Sequence, residues 1–384
     1  MKSLNINFKN FKSKKKNLYI KKNLDKILKK KNYIIESLKT NFNYKFDKKT
    51  LSKYSKFKNF RIIGMGGSSL GTQAIYDFLN HKIKKKFIFI DNLINGEKLN
   101  NKKKFLNLIV SKSGNTLETI VNANILIKKK DKNIFITENK KSYLFLLAQK
   151  LKSEIIHHNN YIGGRYSVLS EVGMLPSALM DLNINKFKQL NSLIKNKFFL
   201  DNLVSNVASI LFYVKKKKYN SIIINYDINS KSLLEWYQQL VAESLGKKNL
   251  GILPIISNMP KDNHSLMQLY LDGFKNNFFT FFFSKEQKSL TLNKSEILKS
   301  HSFLKNKNIN QILFAQKTAS ENIFLKKNIP FRSFEIKKRD EKTLGELFCF
   351  FILETILLAE ALKINPYDQP SVELIKAETS RILH

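Results

Sequence analysis

The sequence predicts an α/β protein built on two parallel sheets, each covered by helices on both faces. Two observations carry that expectation. The chain has 384 residues, 43% of them apolar, enough for two domains with cores of their own. From Phe60 onward, short all-apolar runs alternate with amphipathic stretches, the pattern of doubly buried strands joined by helical crossovers. Ligands of such sheets gather at the carboxyl ends of the strands, so chemistry is sought in the loops there.

Residues 1–50 read as a helical arm, because Leu24, Ile27, Leu28 and Ile34, Ile35, Leu38 recur at helical spacing among Lys and Asn. Residues 51–180 form the first α/β domain. Its predicted strands lie near Phe60 to Ile63, Phe87 to Ile90, Leu106 to Val110, Ile134 to Thr137 and Glu154 to Ile156, with helices between them. Residues 181–364 form the second. A helical span from Ile184 to Val214 leads into strands near Ser221 to Tyr226, Gly251 to Ser257, Phe278 to Phe283 and Phe331 to Ile336. Residues 365–384 begin with a Pro-rich turn and end in a helix. The apolar stretch Leu344 to Leu362 carries Glu346, Glu354 and Glu360, which marks a buried helix rather than a membrane span.

The net charge of +38 would ordinarily suggest nucleic acid or an anionic membrane. The lysines, however, are scattered in short runs at element ends, such as Lys14 to Lys16, Lys29 to Lys31, Lys84 to Lys86, Lys128 to Lys130 and Lys215 to Lys218. Together with abundant Asn, Ile and Phe they fit a coding sequence rich in A and T. Neither nucleic acid nor membrane is therefore expected as a partner. A single cysteine, Cys349, excludes a disulfide framework and a thiolate cluster and suits a reducing compartment. The first residues lack a signal peptide's apolar core, so a soluble cytoplasmic protein is expected, and no metal site is suggested.

Four stretches could carry chemistry. After the first strand comes Gly64-Met65-Gly66-Gly67-Ser68-Ser69-Leu70-Gly71, whose glycines let backbone N–H groups approach a phosphate. It is not a dinucleotide fingerprint, because Ser69 stands where the last glycine belongs. A small phosphate monoester fits better. The third strand ends in Ser111-Lys112-Ser113-Gly114-Asn115-Thr116, hydroxyls and an ammonium ahead of a helix, suited to an anion. Gly163-Gly164-Arg165-Tyr166-Ser167 projects a guanidinium that could stabilise an oxyanion. In the helix from Leu234 to Gly246, Glu235, Gln239, Glu243 and Lys247 fall on one line. This places the Glu243 carboxylate beside an amide and an ammonium, just before an apolar strand, in the setting of a working base.

Taken together, these stretches resemble the phosphoglucose isomerase family. Two later segments agree with it: Asp262-Asn263-His264-Ser265, and Asn365-Pro366-Tyr367-Asp368-Gln369-Pro370-Ser371-Val372-Glu373-Leu374-Ile375-Lys376. The motifs follow the family's order from Gly64 to Lys376. The resemblance implies two flavodoxin-like sugar-isomerase (SIS) domains in a three-layer α/β/α sandwich, with an N-terminal helical arm and a C-terminal helix. It also implies interconversion of glucose 6-phosphate and fructose 6-phosphate through an enediolate, without metal or organic cofactor, by a homodimer that shares its active sites across the subunit interface.

By the same resemblance, Glu243 would move the proton between C2 and C1, and Arg165 would stabilise the enediolate. His264, contributed by the partner subunit, would open the sugar ring together with Lys376. Gly67, Ser68, Ser111, Lys112, Ser113, Thr116, Gln239 and Gln369 would bind substrate, and Glu118 would orient the histidine. Two positions depart from the pattern. Glu171 stands where a small residue is usual, and Ser371 replaces a glycine, which matters if that turn needs a positive φ. The alternative function is a non-catalytic SIS-type sugar-phosphate sensor, which would keep Ser111 to Thr116 without needing Glu243, His264 and Lys376 together. A second alternative, a basic nucleic-acid binder, would need a one-sided Lys/Arg stripe with interleaved aromatics.

Overall fold

The computed structural model of the chain describes residues 4–11, 17–93, 104–285, 289–292 and 296–384. The basic run Lys14 to Lys16 and the first three residues lie outside them. Ten strands are found among the described residues: β1 (Ile6–Lys9), β2 (Asn59–Ile63), β3 (Lys86–Ile90), β4 (Leu106–Val110), β5 (Lys132–Thr137), β6 (Glu154–His157), β7 (Asn220–Asn225), β8 (Leu253–Asn258), β9 (Asn277–Ser284) and β10 (Phe331–Ile336). They form two five-stranded sheets.

The first sheet runs β3-β2-β4-β5-β6 and is parallel throughout. Counted from β2 this is the flavodoxin order 2-1-3-4-5, whose connections part between its first and third strands. Here those strands are β2 and β4. The loops that leave them, from Gly64 and from Ser111, therefore start side by side. A Cβ added at Gly64 would lie 2.9 Å from the Val110 carbonyl oxygen.

The second sheet runs β1-β10-β9-β7-β8, parallel except for β1, which pairs antiparallel with β10. The amino-terminal stretch is thus helical at Leu18–Lys29, Tyr33–Ser37 and Lys48–Tyr54, but Ile6–Lys9 is a strand on the edge of the second sheet. The helical expectation needs correcting there. Ile6-Asn7-Phe8-Lys9 alternates with period two, buried Ile6 against exposed Lys9, too short a signal to stand out among the lysines around it.

Burial explains why the strands read as apolar runs: all five residues of β4 and all eight of β9 are buried. The helix Glu341–Leu362 runs through the main apolar core, which also takes in Phe60 and Leu106 of the first sheet, and packs on the helices Lys231–Leu245 and Lys197–Lys215. Its acids are accounted for individually. Glu354 forms a fully buried ion pair with Arg332 and accepts a 3.1 Å hydrogen bond from the Tyr237 hydroxyl. Burial pushes the Glu346 carboxyl up to about 7, and Glu360 is exposed at the far end. Among the described residues no helix is long and apolar enough to cross a membrane.

The two sheets are joined where the helix Lys231–Leu245, beside the second, lies against Leu70–Phe78, beside the first. That contact brings the loop after β2, the Arg165 segment and Glu243 into one neighbourhood. Glu171, one of the two departures from the family pattern, is buried at the start of the helix Glu171–Leu179, where it accepts a 3.2 Å bond from the Lys45 backbone N–H. Ser371, the other, lies in the first turn of the helix Pro370–Leu383 and has no positive φ, so the glycine usual at that position is not needed for the turn.

Candidate active site

Arg165 stands at the centre. Its side chain is only 2% exposed, and its donors are spread over five acceptors. Nη1 donates to Glu243 Oε1 at 2.8 Å and to Gln369 Oε1 at 3.0 Å. Nη2 donates to the carbonyls of Pro366 and Asp368, at 2.5 and 3.1 Å. Nε donates to Ser244 Oγ at 2.8 Å. A planar fork of donors suits this arrangement as a single ammonium would not.

The backbone that presents Arg165 is held just as closely. A Cβ on Gly67 would come within 2.2 Å of the Gly164 carbonyl carbon and 2.4 Å of the Arg165 nitrogen, so the loop after β2 can seat the arginine segment only without a side chain there. From the other side, the Trp236 indole N–H donates to the Arg165 carbonyl at 3.1 Å. The Tyr166 hydroxyl and the Ser244 hydroxyl are 2.9 Å apart.

Glu243 lies between two donors. One carboxylate oxygen takes the bond from Arg165, and the other accepts from Gln239 Nε2 at 2.9 Å, the bond that i,i+4 spacing on the helix Lys231–Leu245 allows. Its side chain keeps 24% of its surface exposed, leaving an accessible side for a ligand. Gln239 Oε1 is buried without a hydrogen-bond partner, an acceptor fit for a substrate hydroxyl. The Gly66 loop closes over this amide: a Cβ at Gly66 would lie 2.8 Å from Gln239 Nε2.

One expectation about this helix is overturned. Lys247 does not stand beside Glu243. The helix ends at Leu245, Gly246 leaves it at φ −75 and ψ 70, and the Lys247 ammonium turns away to Asp368, 2.9 Å off. Extending the i,i+4 line two residues past the helix end points to the wrong neighbour, because the spacing holds only while the helix continues.

The serine cradle is formed at the end of β4. The Ser111 and Thr116 hydroxyls are 2.8 Å apart, and Ser113 Oγ accepts from the Asn115 backbone N–H at 3.2 Å. Gly114 has φ +66, and a Cβ on it would meet Ser142 Oγ at 2.1 Å. Lys112 lies 3.5 Å from Glu138, which offsets part of its charge. Ser68 is half-buried in the neighbouring loop.

Three predicted residues are not brought to this centre within the single chain. His264 is exposed on the turn after β8, where its backbone N–H bonds to the Lys261 carbonyl. Lys376 is exposed and paired with Glu373 at 2.7 Å. Glu118 is half-buried in the first turn of the helix Leu117–Leu126, and no hydrogen bond joins it to His264. Residues the sequence did not single out are Ser244, Trp236, Tyr166 and the Pro366 carbonyl. The first two sit in the same helix as Glu243, so only their orientation, not their proximity, was hidden.

A carboxylate with one accessible side, in contact with a guanidinium and an amide, with a second amide on the guanidinium, can move a proton and stabilise the negative charge left behind. Among the described residues no group of His, Cys, Asp and Glu is arranged to hold a metal ion.

A model of the phosphoglucose isomerase family matches residues 23–251. The chain is 35% identical to a glucose-6-phosphate isomerase of Mycoplasmopsis pulmonis over 84% of its own length and 82% of the relative's. A glucose-6-phosphate isomerase of Methanocaldococcus jannaschii is 33% identical, covering 84% of each chain. In fold, the chain matches the crystal structure of a hypothetical protein from Thermus thermophilus with a TM-score of 0.81 and 22% identity, over 95% of this chain and 94% of that one. It also matches a glucose-6-phosphate isomerase from Chlamydia trachomatis with a TM-score of 0.73 and 20% identity, over 91% and 72% of the two chains.

Proposed function

The chain belongs to the phosphoglucose isomerase family, and from that premise we propose how its side chains divide the work. It is an aldose–ketose isomerase of glycolysis, interconverting glucose 6-phosphate and fructose 6-phosphate. In the proposed roles, the Glu243 carboxylate takes the hydrogen α to the carbonyl from C2 of the open-chain aldose and returns it to C1, the enediolate being the intermediate. The Arg165 guanidinium stabilises the enediolate charge. Gln239 and Gln369 hold sugar hydroxyls. Gly67, Ser68, Ser111, Lys112, Ser113 and Thr116 hold the phosphate end. His264 and Lys376 open the pyranose, with Glu118 orienting the histidine.

The observation that carries these roles is the sharing of Arg165 Nη1 between Glu243 and Gln369 at 2.8 and 3.0 Å. The base and the charge that would offset its product are thus held in contact, an arrangement of the kind that lowers the reorganisation a reaction needs.

The reading includes a cytoplasmic homodimer whose sites are completed across the interface. Two features support it. His264 and Lys376 are exposed and apart from Glu243 in one chain, and the helix Pro370–Leu383 has no buried residue although Leu374 and Ile375 are 72% and 69% exposed. The test is turnover of fructose 6-phosphate in a coupled assay by the parent and by Glu243→Gln. Loss of the base should lower kcat by ~10²–10⁴-fold. Equal turnover by the two proteins would remove Glu243 from its role.

A further inference from the structure

The helix Pro370–Leu383 buries none of its residues in the chain, so the turn before it, Asn365 to Gln369, does much to set where it points. That turn is held at its carbonyls. Arg165 takes those of Pro366 and Asp368, and the Tyr166 hydroxyl also donates to Pro366 at 3.2 Å. Tyr367 accepts a 2.9 Å bond from Asn32 Nδ2, and its ring lies 6.0 Å from that of Tyr166. A further grip is Lys247. Its Nζ donates to the Asn365 carbonyl at 2.5 Å and lies 2.9 Å from Asp368 Oδ1. The Asn365 side chain in turn donates to Asp368 Oδ2 at 2.8 Å and accepts from the Tyr367 backbone N–H at 3.1 Å. One ammonium thus joins both ends of the turn.

Lys247 is also prepared for this task. Its side chain is 11% exposed although that of Asp368 is 54% exposed. Its backbone is fixed by a pair of bonds with Leu250, 3.0 and 2.9 Å long. Gly246, by leaving the helix, sends the ammonium away from Glu243. Had the helix continued, a second cation would stand one turn from the base and weaken it. The Lys247 ammonium beside Asp368 holds that carboxyl below its usual range.

We propose that Lys247 is a positioning residue: it locks the Asn365–Gln369 turn so that Gln369 stays on the Arg165 guanidinium and the helix carrying Lys376 leaves in a single direction. This rests on the roles given above to Gln369 and Lys376. An exposed ion pair would ordinarily contribute little. Here the same nitrogen also holds a backbone carbonyl, and the helix beyond the turn buries no residue of its own.

The test uses the full-length protein with Lys247→Met and Lys247→Arg, read by turnover of fructose 6-phosphate and by hydrogen exchange over residues 365–383. Lys247→Met should lower kcat by ~10–100-fold, the effect of misplacing a reacting group by about an ångström. Exchange should accelerate over 365–383 and stay unchanged over 231–245. Lys247→Arg, which keeps a cation for both oxygens, should recover most of both. Unchanged exchange over 365–383 in Lys247→Met, a kcat within twofold of the parent, or an arginine variant no better than methionine would each overturn the proposal. Glu243→Gln is run alongside. If it turns over like the parent, the catalytic roles fail, and the exchange comparison still decides the role of Lys247.

Discussion

Replacing Arg165 by lysine keeps the charge at the centre of the site and removes its shape. The guanidinium serves five acceptors: Glu243 Oε1, Gln369 Oε1, Ser244 Oγ and the carbonyls of Pro366 and Asp368. An ammonium has three donors on one atom, so at least two of those acceptors lose their bond to residue 165, although the Pro366 carbonyl and Ser244 Oγ keep the Tyr166 hydroxyl. A buried acceptor left unpaired costs about 1–3 kcal/mol, which puts Arg165→Lys about 3 kcal/mol below the parent in stability. Turnover should fall further than stability implies, by ~10²–10³-fold, the effect of losing one preorganised donor to a developing oxyanion. Urea unfolding followed by tryptophan fluorescence reads the first quantity at the site itself, because the single tryptophan, Trp236, is buried and donates to the Arg165 carbonyl. A coupled assay reads the second under conditions where the variant is folded. Coincident unfolding midpoints, with kcat within threefold of the parent, would refute the argument that the fork geometry of Arg165 organises this site.

Two further outcomes follow from other parts of the molecule. If His264 acts across a subunit interface, Glu243→Gln and His264→Ala are each inactive alone, and mixed dimers regain activity because one of their two sites has neither change; refolding the two variants together and finding no turnover would place His264 in its own chain's site or outside the chemistry. Lys188 is buried, donating to the carbonyls of Ser37 and Leu169 and facing the Phe42 and Tyr44 rings, yet burial outweighs these and pushes its ammonium down to about 7 from an ordinary 10.5. Between those two values the unfolded chain binds the extra proton, so this group makes stability rise with pH. Lys188→Met should therefore show a smaller gain in urea midpoint between pH 7 and pH 9 than the parent, and equal gains would contradict the shift.

The candidate site was partly legible in the sequence because some of its geometry is local. Gln239 and Glu243 are four residues apart on one helix and do bond to each other. The glycine loop and the Ser111 loop follow apolar strands, and parallel strands deliver their carboxyl ends to one edge. What local spacing could not supply were partners far away along the chain. Arg165 reaches Glu243 across 78 residues and Gln369 across 204; nothing in either segment's periodicity says which will face the other.

Lys247 marks the boundary between the two kinds of information. Counted along the helix it belonged beside Glu243, but Gly246 ends the helix and the ammonium goes to a turn 118 residues later. Likewise the edge strand Ile6–Lys9 is visible only once β10 is there to pair with it. The sequence alone determined the alternation of strands and helices, the identities of the polar groups and the loops that carry them, because backbone sterics and side-chain period act over a few residues. The tertiary structure alone decided which of those groups touch, since contacts between distant segments exist only once strands pair and helices pack to bury what lies between them.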